Sequence, residues 1–162
     1  DQNILSNSDY VITPLYSQIE PLFNSVISCK PRKIMAVDFM DLSDYSKNLD
    51  IVNKYINNFN FAFFGLNDSE KKLISEIKSL SFEYSDKIFI ITLGDKGSMA
   101  FNNKKEYSAN PYPVDKVIDT TGAGDGFCAA FISKIIKDFD INKALDFGNK
   151  YASEIVKKLG GI

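Results

Sequence analysis

The sequence predicts an α/β protein built on a mostly parallel central sheet, and three observations carry that prediction. Apolar runs such as KIMAVDFM (33–40), FAFFG (61–65) and KIFIITLG (87–94) are continuous rather than alternating, as in strands covered on both faces. The segments between them repeat apolar residues at helical spacing, so strand and helix alternate along the chain. No repeat, low-complexity tract or linker interrupts the pattern, which reads as a single α/β domain over residues 1–162.

The first strand is YVITP (10–14), a short apolar run stopped by a proline, and SQIEPLFNSVIS (17–28) follows as a helix. After the 33–40 strand, NLDIVNKYINNF (48–59) sets Ile51, Val52, Tyr55, Ile56 and Phe59 on one helical face. The 61–65 strand leads into the helix DSEKKLISEIKSL (68–80) and then the 87–94 strand. Beyond Gly97 the pattern changes: SMAFNN and KEYSAN flank the polar tip NNKK and read as an antiparallel hairpin. Two helices close the chain. One runs from about Ala123 to Lys137 with Phe127, Phe131, Ile135 and Ile136 toward the core. The other runs from about Asn142 to Lys158 and buries Leu145, Gly148, Ala152, Ile155 and Val156. Ligands of open α/β sheets gather beyond the carboxyl ends of the strands. Three polar turns follow apolar runs there: GLNDSE (65–70), TLGDKGS (92–98) and DTTGAGDG (119–126), the last after the short KVI.

Composition narrows the function. With 162 residues, 44% hydrophobic and 25% charged, the chain can bury a substantial core. A net charge of −2 without a basic run gives no reason to expect nucleic acid or an anionic membrane as partner, so any phosphate must be held locally. No apolar stretch approaches the roughly 20 residues needed to span a bilayer, and no signal pattern opens the chain. Cys29 and Cys128 have no metal-type spacing and read as reduced, buried thiols of a cytoplasmic protein. The absence of histidine excludes a Ser-His-Asp triad, a Cys-His pair and histidine metal sites. The chain begins with Asp1 rather than methionine and is expected to be a processed product, an engineered form or a piece of something longer.

The stretch DTTGAGDGFCAAFISKII (119–136) crowds three glycines around an aspartate before an apolar helix. It is not a Walker loop, which needs GxxxxGK and then Ser or Thr. Nor is it the GxGxxG dinucleotide fingerprint, because Gly122, Gly124 and Gly126 are spaced GxGxG and lie late in the chain. It is a glycine-rich turn opening into a helix, with Asp125 in the first turn and Thr120 and Thr121 just before. N–H groups at a helix start attract an anion, which a carboxylate beside them repels. One reading is structural: the glycines fit a tight turn and Asp125 complements the helix dipole, worth about 0.3–1 kcal/mol. The other is mechanistic. The N–H groups of Gly122, Ala123 and Gly124 stabilise a phosphoryl group in transfer while Asp125 accepts the proton of an incoming hydroxyl.

These residues closely resemble the C-terminal signature of the ribokinase-type (PfkB) carbohydrate kinases, with Asp119, Thr120, Thr121, Gly122, Ala123, Gly124, Asp125 and Phe127 on pattern. Asn67 and Glu70 in NDSE match the family's NxxE element, TLGDKGS resembles its TLGxxG nucleotide turn, and Asn149 falls where the family often places a residue beside the adenine. The resemblance implies the ribokinase-like three-layer αβα sandwich. It covers essentially the whole chain but only the C-terminal half of a usual member, without the N-terminal half and its β-sheet lid. It further implies ATP-dependent phosphorylation of an alcohol on a small sugar-like substrate, with Asp125 as base and Gly122 to Gly124 as anion hole. Thr92, Gly94 and Gly97 would line the nucleotide, and Asn67 and Glu70 would organise Mg2+ and phosphate through water, as magnesium's retained waters allow. Asp119 and Thr121 match positions that help bind K+ in some relatives, where further carbonyl ligands follow the point at which this chain stops, Ile162. A homodimer is a candidate assembly of the full-length parent. The runs VDFMDLSDY and NFAFFGLN resemble fructoselysine and related amine-sugar kinases. The supporting residues also have structural readings: Asn67 as a helix cap with Glu70 completing a capping box, Gly94 and Gly97 as turn residues, and Asn149 as a satisfied core amide. Two other function classes fit the same pattern, a non-catalytic or regulatory nucleotide-binding module and a NAD-binding domain. Without the sugar-positioning half, the isolated chain is expected to bind nucleotide weakly and to be inactive or nearly so.

Overall fold

The computed structural model describes residues 2–161. Asp1 and Ile162 lie outside the described residues, and with them the expectations attached to the two chain ends. Six strands are hydrogen-bonded in the order β1 (Tyr10–Pro14), β2 (Ile34–Asp38), β3 (Phe61–Gly65), β4 (Ile88–Thr92), β5 (Ser98–Asn102) and β6 (Lys105–Ala109). The first three pair in parallel, with Tyr10 opposite Ile34 and Ala36 opposite Phe61. Six helices accompany them: α1 (Gln2–Asn7), α2 (Glu20–Ile27), α3 (Asp50–Tyr55), α4 (Lys71–Glu83), α5 (Ala123–Asp138) and α6 (Ile141–Ile155). The chain divides into two compact units, Asp1–Ile90 with Phe101–Lys105, and Ile91–Ala100 with Glu106–Ile162.

The first unit is organised by aromatic packing. Phe39 stacks on Phe64 at 5.5 Å and meets Phe59 edge-on, and Phe59 in turn meets Phe89. Such pairs add about 0.5–1.5 kcal/mol each beyond their buried area. The face expected of residues 48–59 is buried throughout: Ile51, Val52, Tyr55, Ile56 and Phe59. α4 starts three residues later than its periodicity suggests, because residues 67–70 form a polar turn that precedes it.

The second unit rests on α5 packed against α6. Two glycines set how close they come: a Cβ on Gly126 would sit 2.0 Å from Ile155 Cδ1, and one on Gly148 would sit 2.7 Å from the Phe127 ring. Asp140 caps α6 by accepting the Lys143 N–H at 3.1 Å. The hairpin of β5 and β6 turns on Asn103 and Lys104, whose φ values of 46° and 64° match the two left-handed positions of a type I′ turn.

Three expectations need correction. The KVI run before the glycine-rich loop forms no strand, and Val117 and Ile118 are more than half exposed because segment 110–118 runs irregularly between two prolines and the loop. Ile136 points outward rather than into the core, since the buried stripe of α5 runs through Phe127, Phe131, Ile132 and Ile135. Ala152, Ile155 and Val156 are only half-buried, for Ala152 and Val156 face a cleft. α1 was not anticipated; its six residues are too few and too polar to show a helical period.

Candidate active site

The second unit contains a cleft of about 660 Å³, within the range of small-molecule sites. One wall is the turn after β4, one is the irregular segment 110–118, and the rest comes from the front of α5 and one side of α6. Of the residues expected to act, Thr92, Gly94, Gly97, Ala123, Gly124 and Asn149 line it, together with Thr120. Gly122, Asp125, Asp119 and Thr121 belong to the same loop and helix start without lining it, while Asn67 and Glu70 lie in the first unit.

The turn after β4 is shaped by glycine. Gly97 has φ 86°, and a Cβ there would stand 2.2 Å from the Ala109 carbonyl oxygen and 2.8 Å from the Pro111 nitrogen. Only a residue without a side chain lets the two segments approach so closely. The Leu93 N–H donates to the Gly97 carbonyl at 2.8 Å and closes the turn.

At the front of α5, Gly122 is the N-cap with φ 76°, and its carbonyl accepts the Gly126 N–H at 2.8 Å. The Ala123 N–H donates to the Thr120 carbonyl at 3.2 Å, so that amide is already engaged. Among the described residues the N–H groups of Gly124 and Asp125 have no backbone partner. These are the open donors of the helix end. Gly124 has an ordinary helical backbone, and a Cβ there would meet nothing within 4 Å. Neither conformation nor packing therefore demands glycine at 124; what glycine provides is open space above two unpaired amides. Asp125 is exposed in the same turn.

Asp119 holds the loop. One carboxylate oxygen accepts the Thr121 N–H at 2.9 Å and the other accepts the Gly160 N–H at 3.0 Å. These bonds, that from Thr121 foremost, hold its carboxyl below the usual aspartate range. Asn149 is buried, and its amide nitrogen donates to the carbonyls of Ala109 and Asn110 at 3.1 and 3.0 Å. In the first unit, Glu70 accepts the Asn67 N–H at 2.7 Å and pairs with Lys47 at 3.2 Å, while the Asn67 side chain accepts from Ser69. These bonds close a polar turn ahead of α4, whose N-cap is Glu70 without a side-chain cap bond, so Asn67 does not act as the helix cap.

A family model for the pfkB family carbohydrate kinases matches residues 38–162. The chain belongs to this family. Within it, the nucleoside kinase of Methanocaldococcus jannaschii is 33% identical over 149 residues, covering 87% of this chain and 47% of that protein. The ribokinase of Staphylococcus aureus is 35% identical over 106 residues, 58% of this chain and 34% of that protein. Among solved structures, the adenosine kinase of Sinorhizobium meliloti aligns with a TM-score of 0.76 at 16% identity, over 98% of this chain and 52% of that one. The Arabidopsis thaliana ribokinase complexed with ribose and ATP aligns with a TM-score of 0.68 at 20% identity, over 99% of this chain and 54% of that one. At such identities the likeness shows the fold alone, and that fold is ribokinase-like. The chain spans about half the length of the M. jannaschii nucleoside kinase and of both solved chains.

The pfkB signature marks the front of α5, but the cleft also enlists residues that sequence reasoning passed over. Pro111, Tyr112, Pro113, Val114 and Val117 form its apolar wall, and Ser153 and Val156 extend the α6 side. The only signal for the wall was a pair of prolines two residues apart, which marks an irregular segment without saying what it lines. Cys29 and Cys128 are buried, as expected, and are not in a disulfide. Among the described residues no helix is long and apolar enough to cross a membrane.

Proposed function

We propose that this chain is the nucleotide-binding and catalytic half, a single α/β domain, of a kinase that transfers the γ-phosphoryl group of ATP to an alcohol on a small sugar or sugar-like substrate. The observation that carries this reading is the open, unpaired helix start at Gly124, on the edge of an apolar-walled cleft and next to an exposed carboxylate. The alcohol oxygen forms a bond to the γ-phosphorus as the bond from that phosphorus to the bridging oxygen breaks. Asp125 takes the alcohol proton, and ADP leaves with the bridging oxygen. The Gly124 and Asp125 N–H groups, with the positive helix end behind them, stabilise charge on the phosphoryl oxygens. An anion hole made by Gly124 and Asp125, in place of Gly122 to Gly124, fits the engaged Ala123 amide.

No lysine or arginine lines the cleft, and among the described residues no group of three or more His, Cys, Asp or Glu side chains could cage a metal. A Mg2+ ion bound with the nucleotide would supply charge neutralisation at its phosphates. Asn67 and Glu70 are proposed to act on that ion through water. A K+ ion would take Asp119 and Thr121 as ligands, since each Asp119 carboxylate oxygen accepts one backbone N–H and keeps a further lone pair. A cytoplasmic location goes with this reading.

Asp125→Asn in the full-length protein containing this chain is the deciding test. Loss of a positioned base costs about 10²–10⁴ in rate, so transfer should fall by that much while ATP binding stays within twofold. Unchanged transfer would remove Asp125 from the chemistry. A wild-type protein that binds ATP but phosphorylates none of a panel of sugars, nucleosides and amine sugars would favour a non-catalytic nucleotide-binding module.

A further inference from the structure

The irregular segment 110–118 is fastened to α6 at three places. At its start, Asn149 donates to the carbonyls of Ala109 and Asn110. At its end, the N–H groups of Ile118 and Asp119 donate to the Val156 carbonyl at 2.8 and 3.3 Å. Two residues past the first fastening, the Tyr112 hydroxyl donates to the carboxylate of Asp146, at 3.1 and 3.0 Å from its two oxygens. The terminal fastenings use backbone groups, one of them with a buried partner. The one at Tyr112 is a single pair of side chains, and Asp146 is exposed. Between the fastenings, Pro111, Pro113, Val114 and Val117 present the apolar wall of the cleft.

We propose that Tyr112 and Asp146 form a latch that fixes this wall at the spacing a nucleotide needs, and that both are positioning residues for nucleotide affinity rather than for the transfer step. The inference rests on the reading of the cleft as the ATP site. A strap pinned at both ends and stiffened by two prolines has few ways to move, and one of them is for its proline-bearing first half, Pro111 to Pro113, to lift from α6. The latch opposes that motion directly. A hydrogen bond to a charged acceptor is among the stronger side-chain bonds, yet this one is exposed to water and can be removed without opening the core.

The test is a double-mutant cycle with Tyr112→Phe and Asp146→Ala in the full-length protein, measuring steady-state transfer against ATP and against the alcohol substrate. Each single variant is expected to raise KM for ATP by about 3- to 10-fold, the scale of one charge-assisted bond weakened by exposure. The double variant is expected to be no worse than the weaker single one, because both remove the same bond. kcat and the KM of the alcohol should move less than twofold, which a general loss of folding would not allow. Amide exchange at residues 114–118 should be faster in Tyr112→Phe, a readout that survives if kinetics are hard to measure. Unchanged KM for ATP in both single variants, or penalties that multiply in the double, would overturn the latch while leaving the kinase reading intact. A wild-type protein with no saturable ATP binding would overturn both.

Discussion

Gly124→Ala separates a structural reason for glycine from a functional one, because the two predict opposite signs for stability. Alanine is favoured over glycine in a helix interior by about 0.8–1.0 kcal/mol, and a first-turn position realises part of that. The new methyl group meets no atom within 4 Å, so no clash offsets the gain. The variant should therefore be unchanged or more stable by up to about 1 kcal/mol, which raises Tm by at most about 2–4 °C for a chain of this size. Function should move the other way. The methyl stands in the open space beside unpaired amides that a phosphate oxygen must approach to hydrogen-bonding distance, and a misplacement of about 1 Å costs on the order of 10²-fold in rate. Thermal unfolding and ADP release, measured on the same preparation of the full-length protein, give both numbers. Gly148→Ala on α6 is the control: its methyl would fall 2.7 Å from the ring of Phe127, which is fully buried and cannot swing away, so stability should drop by about 1–3 kcal/mol. The reasoning fails if Gly124→Ala loses more than about 1 kcal/mol, or if its rate stays within twofold of wild type.

Gly97→Ala should cost about 2–6 kcal/mol in urea unfolding, combining left-handed strain at φ 86° with a contact of 2.2 Å to a backbone oxygen that has no room to rotate away; a loss below about 1 kcal/mol would show that the turn opens freely. Asp119 adds a pH dependence whose sign follows from its lowered carboxyl. A depressed folded-state value means stability fully present above the unfolded value of about 3.9 and lost as pH falls through the folded one. The gap in urea midpoint between wild type and Asp119→Asn should be widest at pH 7 and narrow as pH falls below about 3.9; a gap that stays constant with pH would deny the carboxylate its role.

Most strands and helices could be read from the chain because their periods are strong. FAFFG, with every residue but its glycine buried, has no reading as an amphipathic surface helix, and KEYSAN beyond a polar tip has few readings other than a returning strand. Boundaries slipped where side chains compete with helical backbone bonds, as at Asn67 and Ser69 ahead of α4. The glycine-rich loop was legible because three glycines and an aspartate in eight residues are hard to explain by packing alone. The cleft's apolar wall was not, since Pro111 through Val117 acquire their role from partners on α6 that are more than 25 residues away in sequence. The same holds for Gly126 and Gly148, which look like further loop or helix glycines until the facing side chains are known.

A division of labour follows from which polar groups already have partners. Asp119 accepts a backbone N–H at each carboxylate oxygen, and Asn149 donates from its nitrogen to two carbonyls. Each such group is held in one orientation before any ligand arrives, so its energetic contribution is mostly to the shape of a turn. Asp125 and the amides beside it differ, for the carboxylate is exposed and the N–H groups lack backbone acceptors. Unpaired groups at a helix start are tolerable in water, which supplies the missing bonds, and a ligand can replace that water without breaking the protein's own contacts. Isosteric changes at the partnered residues should therefore be read mainly in stability, and those at Asp125 mainly in rate. The one position where both readings are available together is Gly124, whose missing side chain neither relieves strain nor fills a gap.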